Sequence, residues 1–191
     1  MANFETEDTE ETVTCLRITV YHPSQMEKNV FQAFHFSQPH HVKVDDLVKF
    51  GRDGQVCRFN FVDGRVSRIQ FALQCFRHFN SSKLGFEIKN LSKKTKLMVD
   101  LAELAYLNKV ELQETCMVCF GEYQMLLEKE EGQSDKYFDI RFELAKTPML
   151  QQKILSWREP IPECGFSCAE TPVEIDETEE TGNSLHEKWT L

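Results

Sequence analysis

Three short segments carry the residue types needed to hold a doubly charged phosphate. Lys49-Phe50-Gly51-Arg52 closes one apolar run, Val66-Ser67-Arg68-Ile69-Gln70 opens another, and Lys89-Asn90-Leu91-Ser92-Lys93-Lys94-Thr95 follows a third. Each places basic, hydroxyl or small residues at a strand-to-loop boundary, where loops at one end of a sandwich can converge. A phosphate dianion requires cationic donors, a hydroxyl and free backbone N–H groups at one point. An arginine grips it with two parallel N–H groups, and such charge-assisted bonds are roughly twice as strong as neutral ones. Lys93, Lys94 and Lys96 read as a solvated basic loop.

The distribution of charge separates this anion-binding body from two acidic ends. The 191 residues carry a formal net charge of -9. Residues 1–11 hold five acids and no base, and residues 163–191 hold eight acids against Lys188 alone, so residues 12–162 keep 18 acids and 21 bases. A mildly basic body suits an anionic ligand, and the acidic ends suit other contacts or simple solubility.

The elements that must position these residues are strands. Thr14-Cys-Leu-Arg-Ile-Thr-Val20 alternates apolar and polar side chains, as do Ile69–Cys75, Leu84–Ile88 and Phe138–Leu144. This is the period-2 mark of half-buried strands. Met117 to Glu128 reads as one strand bent at Gly121, and Asp53-Gly54 and Asp63-Gly64 mark turns. Only Leu101–Leu107 and Pro148–Arg158 read as helical, the second an amphipathic stretch expected to pack on its own sandwich. Many short strands predict an all-β sandwich over residues 13–147. Residues 1–12 form an acidic N-terminal segment, and 148–191 a linker and acidic tail that lacks apolar periodicity from Cys164 to Leu191.

The order and spacing of the three basic segments, from about Thr14 to Ala145, resemble the forkhead-associated (FHA) domain family. Its usual pattern is Gly-Arg, then Ser-x-x-His, then an Asn-bearing loop ending in Gly-Thr. Here Gln70 stands for the histidine, and Lys93-Lys94-Thr95 replaces the Asn-Gly-Thr turn. The resemblance implies an FHA β-sandwich in which Arg52, Ser67 and Lys89 hold phosphothreonine. It assigns Asn90 to the peptide backbone and Gly51 to backbone shape, with the Gln70 amide bracing the recognition loop.

The N-terminal run Asp8–Leu16, together with Val48–Arg52, Phe86–Thr95 and Phe120–Gln124, is also similar to innate-immune adaptors built on this domain. That narrower resemblance implies an intrinsic homodimer and a phosphorylation site at Thr9, written by an upstream threonine kinase and read by a neighbouring dimer. It implies phosphothreonine-dependent higher oligomers and NF-κB signalling. Pro172-Val173-Glu174-Ile175-Asp176-Glu177 fits the Pro-x-Glu-x-x-acidic pattern by which extended peptides dock on TRAF-family ubiquitin ligases. Pro172 would enter a shallow pocket, Glu174 would accept backbone donors, and Glu177 would face basic residues.

Several other functions are not expected. The sequence holds no Gly-Lys-Ser/Thr phosphate loop, Gly-x-Ser-x-Gly elbow or His-Glu-x-x-His helix, so catalysis and a cofactor are not expected. Cys116 and Cys119 have metal-ligand spacing, but a strand would turn them to opposite faces, and no metal is expected. Overall acidity argues against nucleic acid, and the short apolar runs against a membrane span. Seven cysteines without scaffold spacing fit a cytoplasmic location.

Overall fold

The computed structural model describes residues 12–78 and 83–150. In chain order the described elements are β1 (Thr14–Tyr21), α1 (Gln25–Lys28), β2 (His40–Lys43), β3 (Leu47–Gly51), β4 (Phe59–Asn60), β5 (Phe71–Arg77) and β6 (Leu84–Asn90). They continue with β7 (Leu97–Val99), β8 (Ala102–Leu104), β9 (Lys109–Glu111), β10 (Thr115–Phe120), β11 (Tyr123–Glu130) and β12 (Tyr137–Leu144). The strands form two sheets, one ordered β2-β12-β1-β11-β10-β7-β8 and the other β4-β3-β5-β6-β9.

Alternation sets the inner faces, as the sequence predicts. In β1, Leu16, Ile18 and Val20 point into the core, and in β12 Phe138, Ile140 and Phe142 do the same. β1 runs parallel to β12 with Thr14 opposite Phe138, and antiparallel to β11 with Ile18 opposite Leu127. The abundance of phenylalanine is explained by the space between the sheets. Phe34 sits in the segment after α1, with ring centroids 4.7 Å from Phe142, 5.1 Å from Phe61 and 5.3 Å from Phe31. Such tilted and edge-on aromatic pairs add about 0.5–1.5 kcal/mol each beyond the area they bury.

Three expectations change. Leu101–Leu107 is not a helix: Asp100 adopts φ 50° and turns the chain, so that β8 pairs back on β7 with Ala102 opposite Val99. Leu104 enters the core from that strand, and tertiary pairing overrides a helix preference worth only tenths of a kcal/mol per residue. The single bent strand from Met117 is a hairpin of β10 and β11, closed by the two residues between Phe120 and Tyr123. Gly121 takes φ 53° there, the left-handed region a glycine enters without penalty. Helix α1 was not foreseen; it is one turn long and ends on Asn29 at φ 49°. Met149 and Leu150 open a helical turn, and the remainder of Pro148–Arg158 lies outside the described residues.

Candidate anion-binding cleft

The loops after β3, before β5 and after β6 are laced together by their backbones. Arg52 donates its N–H to the Ser67 carbonyl at 3.0 Å, Asp53 to Arg68 at 3.1 Å, Gln70 to Phe50 at 2.7 Å and Leu91 to Gln70 at 3.0 Å. Gly51 makes this approach possible: a Cβ there would lie 2.2 Å from the Arg68 carbonyl oxygen. A fixed backbone atom cannot move aside as a flexible side-chain tip can, so only glycine fits.

Between these loops lies an open cleft of about 570 Å³, lined by Arg52, Ser67, Arg68, Ser92, Lys93 and Lys94 among others. Arg52 is exposed, and no described residue forms an ion pair or side-chain hydrogen bond with its guanidinium. Lys93 holds its ammonium 5.2 Å from the centre of the Tyr106 ring, a cation–π contact that steers it over the cleft wall. Lys93 and Lys94, expected as a solvated basic loop, are exposed and also line the cleft.

Ser92 organises the floor. Its Oγ accepts the N–H of Lys94 at 3.2 Å and of Thr95 at 3.0 Å, and lies 2.7 Å from Ser67 Oγ. A hydroxyl has one donor and two acceptor positions. With both acceptor positions used, Ser92 must donate to Ser67, which leaves the Ser67 O–H free to point at an anion.

Asn90 is the last residue of β6. It is fully buried; its amide donates to the carbonyls of Thr95 at 3.0 Å and Leu104 at 2.8 Å, and its oxygen accepts the Ser92 N–H at 2.9 Å. Both of its amide donors are spent on shaping the loop. Lys89, half-buried on the outward face of β6 opposite Ala72 and Lys109, is not among the side chains lining the cleft. Gln70 does brace the recognition loop: it is fully buried and its Oε1 accepts the Ser67 N–H at 3.3 Å. The hub role of Ser92 escaped the sequence reading, although the Asn90-Leu-Ser92 spacing is that of a side-chain-capped turn.

A charged brace stands beside the cleft. Tyr123 donates its O–H to Asp63 at 3.0 Å, and Arg65 bridges Asp63 at 3.0 Å and Glu122 at 2.9 Å. Burial opposes ionisation of Asp63, but hydrogen bonds from the Arg65 side chain and N–H and from Tyr123 outweigh it and hold the carboxyl at about 2. Burial, then the Asp63 hydrogen bond, push the Tyr123 phenol up. Arg65 is thereby committed to structure, in contrast to Arg52.

A group whose carboxyl is depressed in the folded state stabilises the fold above its unfolded value, near 4, and loses that contribution as pH falls through the folded value. Asp63 should therefore contribute up to about 2 kcal/mol that disappears between about pH 4 and pH 2. Urea unfolding across that interval should show a shallower acid loss in Asp63→Asn than in the parent chain. Equal slopes would remove Asp63 from the account.

Cys116 faces the core and Cys119 the opposite side of β10. Thr9, Pro172, Glu174 and Glu177 lie outside the described residues.

Comparison with known proteins connects this geometry to a family. The FHA domain family model matches residues 48–121, which contain all three cleft loops. A Rattus norvegicus protein described as TRAF-interacting protein with FHA domain-containing protein A is 50% identical over 94% of this chain and 100% of its own length. The Homo sapiens protein of the same description matches to the same extent, and the human protein B of that series is 30% identical over 74% of this chain and 84% of its own. Among solved structures, an Arabidopsis thaliana FHA domain aligns with 13% identity over 65% of this chain and 91% of that one, at a TM-score of 0.44.

Proposed function

Because the chain belongs to the family of TRAF-interacting proteins with an FHA domain, we propose that it is a cytoplasmic, non-catalytic signalling adaptor whose cleft reads phosphothreonine. Arg52 and the free O–H of Ser67 hold the phosphate, Arg68, Lys93 and Lys94 supply positive field, and Lys89 adds to it from the outward face of β6. Gly51 and Asn90 fix the loops. The reading rests on one observation above all: Arg52, unpaired among the described residues, lines a cleft whose floor hydroxyl has been left a donor.

The ligand in this reading is Thr9 of another molecule, phosphorylated by an upstream kinase. Thr12 is tied down, its carbonyl accepting the N–H groups of Gln133 at 2.7 Å and Ser134 at 2.9 Å. Three residues then remain to Thr9, a reach of at most ~11 Å. The cleft lies toward the other end of β1, where His22 Nε2 is 3.5 Å from the Arg65 side chain. The eight residues of β1 alone cover roughly 23 Å. The chain is too short to fill its own cleft, which favours exchange between molecules. Contacts between two different surfaces need not close, so dimers joined this way extend into larger assemblies.

Assembly would gather the Pro172-Glu174-Glu177 motifs of many tails. Several weak contacts held together gain avidity of order 10²–10⁴, enough to recruit and cluster a TRAF-family ubiquitin ligase and so activate NF-κB signalling. Light scattering of the purified full chain tests the central step. Phosphate at Thr9 should convert a dimer-sized species into large particles, and Arg52→Ala should prevent it. Growth that persists in Arg52→Ala would show that the cleft is not the receptor.

A further inference from the structure

The cleft continues past Arg52. Val56, on its wall, also lines a second groove of about 340 Å³, bordered by Leu47, Lys49, Gln55 and Arg58 among others. The two hollows meet at that one side chain.

One wall of the groove is an open sheet edge. β3 pairs with β5 from Leu47 to Phe50, but on its other side β4 stands opposite only Phe50 and Gly51, through Phe59 and Asn60. Leu47, Val48 and Lys49 therefore have a strand partner in register on one side alone. Such an edge offers backbone groups to any extended chain laid beside it. Alternation fixes which residues offer them. The Phe50 carbonyl accepts the Gln70 N–H toward β5, and the Gly51 carbonyl accepts the Phe61 N–H toward β4. Leu47 and Lys49, in step with Gly51, turn their N–H groups to the groove side.

The side chains around this edge select the chain it can take. Lys49 and Arg58 line the groove against a single acid, Asp46. Among the described residues neither cation has a carboxylate partner, and Arg58 is held in place by donating to the His41 carbonyl at 2.8 Å. Leu47 and Val56 are 48% and 47% exposed. Basic flanks, apolar walls and an open edge suit an extended acidic peptide added as a strand. Lys49 lies three residues before Arg52, roughly 10 Å of extended chain. A peptide with its phosphate at Arg52 reaches the edge with residues about three positions away.

We propose that the groove along β3 is a second subsite of the receptor. In it the acidic flank of a phosphothreonine peptide from another molecule pairs with Leu47–Lys49 as an added strand, and Lys49 and Arg58 hold its carboxylates. The inference rests on the phosphothreonine reading of the cleft. It places selectivity for acidic phosphothreonine segments on β3, outside the loops that hold the phosphate.

Two synthetic peptides test it on the full chain. One spans residues 4–14 with phosphate on Thr9, and the other carries in addition Glu7→Gln, Asp8→Asn, Glu10→Gln and Glu11→Gln. Hydrogen exchange at the Leu47 and Lys49 amides should slow several-fold when the acidic peptide binds. Lys49→Ala should weaken the acidic peptide about two- to five-fold more than the neutral one, the range of an exposed charge pair. Arg52→Ala should weaken both peptides alike, and so reports on the phosphate separately. Unchanged exchange at Leu47 and Lys49 with the peptide bound through Arg52, or equal losses for the two peptides in Lys49→Ala, overturns the subsite and leaves the cleft reading standing. Peptide binding that ignores Arg52→Ala overturns both.

Discussion

Arg52→Ala should weaken binding of a peptide spanning residues 4–14 with phosphate on Thr9 by about 30- to 150-fold, with no change in melting temperature. Each hydrogen bond to a charged group contributes about 1.5–3 kcal/mol, and the truncation removes a bidentate pair. A loss of about 2–3 kcal/mol corresponds to that range at 1.4 kcal/mol per tenfold. Stability should be untouched because Arg52 is exposed and no described residue pairs with its side chain. Its backbone N–H, which ties the loop to Ser67, survives the substitution. Arg52→Lys should recover part of the affinity, since an ammonium keeps the charge and loses the fork. Fluorescence anisotropy on the labelled peptide reads all three proteins. An Arg52→Ala protein that binds as tightly as the parent would dismiss the cleft assignment.

Phe34→Ala should have the opposite profile, with a large loss of stability from a residue that touches no ligand. Phe34 is 2% exposed and packs against Phe31, Phe50, Phe59, Phe61 and Phe142, which come from both sheets and the segment after α1. Truncating a buried phenylalanine costs about 3–5 kcal/mol, from lost transfer energy and the cavity left behind. That is a large part of the 5–15 kcal/mol typical of a domain. Calorimetry should show melting lowered by roughly 10 °C or more. Phe36→Ala, at a residue 38% exposed, should move it far less. Similar shifts for the two would mean that the aromatic cluster does not hold the sheets together.

These two residues also mark what could be read in the sequence. β1, β5, β6 and β12 were legible because one face of each is buried, and burial writes an alternating pattern. Arg52 stands out in the sequence through the order of three basic segments, because Gly51-Arg52 alone is a weak signal. Phe34 was not, since it fills the core from an irregular segment where no period exists to count. Leu101–Leu107 was misread because Asp100 and the pairing of β8 on β7 decide its conformation, and neither is local. Asn90 shows the same limit within the site. Burial beneath Thr95 and Leu104 turns both of its amide donors inward, which spacing alone does not reveal.

The parallel pairing of β1 with β12 bears on how the protein is made. β1 lies inside the larger sheet, and its hydrogen-bonding neighbours, β11 and β12, are the last strands of the described sandwich. At 5–20 residues per second, a ribosome needs roughly 5–20 s to pass from Tyr21 to Tyr123, where β11 begins. Throughout that interval Leu16, Ile18 and Val20 have no native sheet partner, and both backbone edges of β1 stay open. Pairing across so long a loop is slow once the chain is complete. The nascent chain therefore needs protection of its first strand, and any product truncated before β12 presents an apolar edge suited to aggregation.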